Sequence, residues 1–320
     1  MLLSINTAFV QAQIIAHHPT SANCERQAQL CCDPIARLLS DGDRNKPIGT
    51  LLCKGDYLNP KQGKLKVACY LNGKVLLLTG GRIDGSSNKC VKPSENKFSQ
   101  CTTNKNRNCH NLKTSSTNTN IPQLINPYSR LILDGRPPIS WSQVPQATSY
   151  TVVLSSQGKI SWKRKVKTTT LTYPIQEPAL KYGGVYKLNI IANYGRHPLK
   201  SSSNLLILLK VEQVQDLEDT IKQINSLELT PDQQARELDI AFISKKLLTQ
   251  SINLLNQRIN TGTKDPTLYR LLGDRYLQAG LPQKAKSEYL KAITLAQQVN
   301  KLKEIKIAQA RLNLINDTTN

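Results

Sequence analysis

Residues 266–297 read PTLYRLLGDRYLQAGLPQKAKSEYLKAITLAQ, and the spacing within them decides how the last third of the chain folds. Tyr269, Leu272 and Tyr276 recur at helical intervals, as do Ala285, Tyr289 and Ala292. Between the two runs Gly280 makes a turn, and Pro282 stands where a second helix begins. Gly273 and Ala285 are small enough to let two antiparallel helices approach, while the aromatic and leucine side chains fill the space between them. The stretch predicts a helical hairpin.

The same residues stand at positions 4, 7, 8, 11, 15, 20, 24 and 27 of a 34-residue frame, which resembles the tetratricopeptide (TPR) pattern. The proline usual at position 32 is replaced by Gln297. Counting back one frame puts Phe242 at position 11 and Ser251 at position 20 of a degenerate earlier repeat. Counting forward puts Leu302, Ile305, Gln309 and Leu312 on a last helix. Two further apolar stripes precede these: Val214, Leu217, Ile221 and Ile224, then Leu248, Ile252, Leu255 and Ile259, the second ended by Gly262. Thr230-Pro231-Asp232-Gln233 reads as a capping box with proline in the first turn. Residues 211–320 are therefore expected to form a TPR-like helical solenoid. The resemblance implies a concave face presenting Thr267, Arg270, Asp274, Leu277 and Gln278 as candidate peptide contacts.

Residues 127–210 carry an all-β pattern. Tyr150, Val152 and Leu154 alternate with Thr151, Val153 and Ser155, and Tyr186, Leu188, Ile190 and Ala192 alternate along a later strand. Between them Ile160, Trp162 and Val166 are expected to share a face with Arg164. The run from Pro137 through Trp141, Val144, Ala147 and Tyr150 to Val152 resembles the first half of a fibronectin type III domain. Leu180, Tyr186, Ile190 and Ala192 resemble its second half. The resemblance implies that Trp141 fills the core and that the Tyr186 hydroxyl returns to the backbone near Leu180. Lys163, Arg164, Lys165 and Lys167 make the densest basic run, readable as an anionic-surface patch or as the charged guard of an edge strand.

All eight cysteines fall in one segment: Cys24, Cys31, Cys32, Cys53, Cys69, Cys90, Cys101 and Cys109. An even count so crowded points to structural disulfides, since the knuckle spacing of a zinc site is missing. Eight cysteines allow 105 connectivities, so no pairing follows from the sequence. Within this segment Leu65, Val67 and Cys69 alternate along a strand, and Asn72-Gly73 leads to Lys74–Leu78 as a hairpin partner. Leu52, Gly55, Asp56 and Leu58 stand in an L-x-x-G-D-x-L arrangement before that strand, which resembles the FecR-like β domain of bacterial surface and periplasmic proteins. Residues 111–126 read as a linker. Disulfides need an oxidising compartment, and residues 1–23 open MLLSINTAFVQA, read as a degenerate or truncated signal peptide.

The expected fold is thus multidomain. An all-β N-terminal half holds a small disulfide-stapled domain (24–110) and a fibronectin-type-III-like sandwich, and all-α TPR-like hairpins follow. Hydrophobic residues are 39% of the 320 and mean hydropathy is −0.39, which excludes a polytopic membrane protein. The net charge of +21 divides into +9 before residue 127, +10 over 127–210 and +2 thereafter. Four histidines, His17, His18, His110 and His197, fall in expected loops or the expected processed end, and no catalytic, cofactor or metal motif stands out. We expect an exported, non-enzymatic scaffold in the periplasm or outside the cell. It would take an unidentified protein partner through the helices, and its basic front half would contact an anionic envelope polymer. A nucleic-acid-binding protein or a FecR-like envelope signalling component is the alternative, the first disfavoured by the near-neutral third segment.

Overall fold

The structure, a computed structural model, describes residues 32–85, 88–92 and 121–316. Cys24, Cys31, Cys101 and Cys109, the expected signal peptide, three of the four histidines and residues 111–120 of the expected linker lie outside the described residues.

The N-terminal domain is built on a four-stranded antiparallel sheet, ordered β2 (Leu51–Leu52), β1 (Ala36–Leu38), β4 (Leu65–Cys69), β5 (Lys74–Leu78). β3 (Tyr57–Leu58) pairs with β6 (Gly81–Arg82) beside it. Leu52 and Leu58 of the quoted motif lie in β2 and β3, with Gly55 turning between them at φ 91°. The hairpin β4–β5 forms in the register Leu65↔Leu78 to Cys69↔Lys74, so the connection is four residues long and ends on Gly73 at φ 63°. Among the described residues, two disulfides staple the domain, Cys32–Cys53 and Cys69–Cys90. Their Cα atoms stand 6.1 and 5.7 Å apart, within the span a disulfide bridges.

Alternation in β4 predicts one solvent face, and the structure departs from this: Ala68 is as buried as Val67 and Cys69. The sheet has a core on each side. Leu38, Leu65, Val67, Leu78, Cys69 and Cys90 pack on one face. Leu39, Ala68, Tyr70 and Val75 pack on the other, against the helices.

The second module is a two-sheet sandwich. Its larger sheet is ordered β11 (Lys159–Val166), β10 (Ser149–Ser156), β13 (Val185–Tyr194), β14 (His197–Leu208), β8 (Leu131–Ile132); only β8 runs parallel to its neighbour. The smaller sheet is β12 (Thr170–Leu171), β9 (Ile139–Trp141), β7 (Leu124–Asn126). The expected linker therefore ends earlier than residue 126, because Leu124 already pairs with Trp141. Trp141 fills the core at 2% exposure, edge-on to Tyr150 with ring centroids 5.4 Å apart. The Tyr186 hydroxyl accepts the Lys181 N–H at 2.8 Å, one residue from the expected return point. Ile160 does not share the Trp162 face. A bulge at Leu154/Ser155 shifts the register by one, so Trp162 is buried and Ile160 is 66% exposed.

Among the described residues six helices follow: α1 (Val211–Asn225), α2 (Pro231–Ser244), α3 (Leu248–Asn260), α4 (Pro266–Gln278), α5 (Pro282–Gln298) and α6 (Leu302–Asn316). Thr230 caps α2 reciprocally with Gln233, as the capping box requires. α4 and α5 form the quoted hairpin, with Gly273 against the Tyr289 ring. A Cβ on Gly273 would stand 2.6 Å from that ring, so glycine is what lets the helices meet. α6 carries Leu302, Ile305, Gln309 and Leu312, the residues expected on a last helix. Leu302 is 68% exposed and Gln309 is exposed, and Ala308, Leu312 and Ile315 make the buried contacts.

The modules do not string out in order. The N-terminal sheet packs on α1 and α2, so the first and third modules share one core that also takes Leu131 and Leu133 from the start of the sandwich. Tyr128, from the same part of the sandwich, reaches the helices: its N–H donates to Thr249 Oγ1 at 2.9 Å and its ring meets Tyr276 edge-on.

Candidate protein-binding surface of the helical array

Helices α2, α4 and α6 lie side by side, and ion pairs between them join residues about one repeat apart. Arg270 Nε donates to Glu304 Oε2 at 2.5 Å across 34 residues. Arg275 forks onto Asp239, Nε to Oδ1 at 2.9 Å and Nη2 to Oδ2 at 2.6 Å, across 36 residues. Asp239 stands 34 residues before Gly273, where the later hairpin needs a glycine. The Ser251 hydroxyl donates to Asp239, so a polar contact replaces the glycine–tyrosine contact in the α2–α3 hairpin.

The five residues named from the resemblance separate into two groups. Arg270 and Asp274 belong to a buried cluster. Asp274 accepts from the Tyr289 hydroxyl at 2.8 Å and from Arg270 Nη1 at 3.0 Å, and pairs with Arg311 at 3.4 Å. Burial works to lower the Arg270 pKa, but the charges of Asp274 and Glu304 outweigh it and raise the guanidinium above its usual range. Burial, reinforced by the Asp274 charge, raises the Tyr289 hydroxyl. Thr267, Leu277 and Gln278 stand outside this cluster, half-buried at the surface of α4.

Counting back 34 residues from Arg270 and Leu271 reaches Arg236 and Glu237, which the sequence reading did not name. These positions of α2 are occupied by the chain's own N-terminal domain. Glu237 is fully buried and accepts from Arg37 Nε at 2.9 Å and from the Tyr70 hydroxyl at 2.5 Å. Arg236 stacks over the Tyr70 ring, 4.5 Å from its centroid, and donates to its hydroxyl at 3.2 Å. Burial, then the Glu237 charge, raises the Tyr70 hydroxyl pKa. The repeat arithmetic that placed Ser251 carries the signal for this pair.

Between β4–β5 and α1–α2 lies a cavity of about 180 Å³, lined by Lys66, Lys74, Asp216, Thr220 and Lys245 among others. Asp216 accepts from Lys245 at 2.5 Å and from Lys66 at 3.3 Å. The Lys245 hydrogen bond leads in holding its carboxyl below the usual range. This is a further joint between the two modules.

The basic run divides by strand parity. Lys163 and Lys165 are exposed on the outer side of β11, and Lys167 is exposed past its end. Arg164 turns to the inner side and pairs with Glu177 at 2.6 Å. β11 is an edge strand, as its lysines suggest. His197 is exposed at the start of β14. Among the described residues, no three His, Cys, Asp or Glu side chains converge as a metal site requires, and no helix is long and apolar enough to cross a membrane.

No family profile and no curated protein matches the chain. Among solved structures it is similar to PcrH from Pseudomonas aeruginosa, at 18% identity over 33% of this chain and 83% of that one, with a TM-score of 0.29. It is also similar to PcrH in complex with the chaperone binding region of PopB, at 19% identity over 32% of this chain and 85% of that one, with a TM-score of 0.28. Likenesses of this size do not bear on function.

Proposed function

We propose that the chain is a non-enzymatic scaffold whose helical array holds a partner polypeptide. One observation carries this reading: the array already grips a polypeptide in cis. Arg236 and Glu237 of α2 clamp Arg37 and Tyr70 of the N-terminal domain through buried, charge-assisted hydrogen bonds. One repeat further, α4 presents Thr267, Leu271, Leu277 and Gln278 half-buried at its surface. That mix of apolar body and amide donor suits an extended peptide.

In this reading the chain works outside the reducing cytoplasm, where Cys32–Cys53 and Cys69–Cys90 persist, with its basic modules towards an anionic envelope surface. The test uses the full chain and the L277E/Q278E variant as paired baits in an extract of the native host. The reading expects one polypeptide retained by the wild type and lost from a variant of unchanged melting temperature. Equal retention by both, or by neither, contradicts it.

A further inference from the structure

The five strands of the larger sandwich sheet contain no aspartate or glutamate. Over residues 127–210 there are twelve Lys and Arg against two acids, and of those two Glu177 is engaged by Arg164 on the inner side. The outer face of this sheet can be read from its register. Leu188, Ile190 and Ala192 of β13 are buried in the sandwich, so Lys187, Asn189 and Ile191 face outward. Thr151 pairs with Lys165 and Ile191, and Val153 with Lys163 and Asn189. Ser155 pairs with Lys187, and Ser201 and Ser203 of β14 continue the rows. Lys163, Lys165 and Lys187 are all exposed.

Strand geometry places Lys163 and Lys165 about 7 Å apart and Lys187 about 12 Å from Lys163, on a diagonal across the sheet. Ser155 and Asn189 lie between the three ammonium groups on either side of Val153, while Thr151 is buried, its hydroxyl accepting from Asn193 Nδ2 at 3.1 Å. Tyr150 and Trp162 of this sheet are turned inward, and its exposed Tyr194 lies at the end of β13 beyond the lysine rows, so no aromatic side chain stands between these lysines for a nucleobase to stack on.

We propose that this face binds a linear acidic polysaccharide of the uronate class. The lysine diagonal would meet successive carboxylates, and the Ser and Asn side chains would meet sugar hydroxyls. The proposal gives the anionic surface of the scaffold reading a chemical identity and rests on that reading for its setting. The sheet face and α4 are nevertheless distinct surfaces, so either idea can fail alone.

The experiment measures binding of the full chain to polygalacturonate, to uncharged dextran, to duplex DNA and to anionic lipid vesicles. It compares wild type, K163E/K165E/K187E, and a control of equal charge change on the helices, K222E/K291E/K306E. All six lysines are exposed, and circular dichroism and melting temperature check that the variants fold. The expected result is binding to polygalacturonate but not dextran, weakened by salt. The sheet variant should lose about tenfold or more in affinity and the helix control less than about twofold. Equal loss in both variants would reduce the effect to net charge and overturn the proposal. So would tighter binding to DNA or vesicles, or no preference for polygalacturonate over dextran.

Discussion

Arg37 Nε and Glu237 Oε1 lie 2.9 Å apart with side chains 5% and 0% exposed, joining the first and last modules across 200 residues. Removing one member of such a pair strands the other charge in the interior. Glu237→Ala is expected to cost about 3–5 kcal/mol. The R37M/E237L double variant should cost less, because both members of the fully buried pair are gone and the charge that remains, Arg236, is partly exposed and keeps its contact with Tyr70. Urea unfolding of the three proteins checks both.

Gly273 is needed for what its missing side chain permits. A methyl group there would meet the Tyr289 ring 2.6 Å away, and that ring is held by its hydrogen bond to Asp274. Gly273→Ala should destabilise the chain by about 1–3 kcal/mol despite alanine's better helix propensity. A rise in melting temperature would show that α4 and α5 can move apart freely.

The Cys69–Cys90 bridge ties the end of β4 to the segment after β6, directly beside Tyr70. Replacing both cysteines by serine should cost about 2–4 kcal/mol. Because β4 carries Ala68 into the shared core, amide exchange should quicken in α2 as well as in the N-terminal sheet.

Tyr70 and Tyr289 titrate above the ordinary tyrosine value of about 10, each raised by burial and then by a neighbouring carboxylate. The native state therefore holds its phenolic protons more tightly than the unfolded chain. The stability this supplies is complete below the unfolded value and is lost as pH rises above about 10 towards the folded values. Melting temperature should fall steeply above that pH, and less steeply in Y70F/Y289F.

Much of this was legible where contacts are local. The α4–α5 hairpin, the Thr230 cap and the Tyr186 return all follow from residues within one element or one turn. Local patterns could not show that Ala68 packs on helices more than 140 residues later, because alternation in β4 describes one face at a time. The bulge that exposes Ile160 adds one residue to one strand, and nothing in the alternation marks it. The repeat spacing marked α6 as a helix but not which side it buries: Ala308, Leu312 and Ile315 pack inward and Leu302 is 68% exposed. For the surface, Arg270 and Asp274 carry the charges of a peptide contact, but Glu304, Tyr289 and Arg311 complete them inside the array.

Site-specific photo-crosslinking tests the central claim, that the α4 surface of the helical array holds a partner. A benzoylphenylalanine is placed at Gln278 on α4 and, in a second protein, at Gln298 at the far end of α5, and each full chain is irradiated in its native host. The account predicts one discrete adduct from position 278, none from position 298, and loss of that adduct when Leu277→Glu is added. Identical adducts from both positions, or an adduct indifferent to Leu277→Glu, would contradict it.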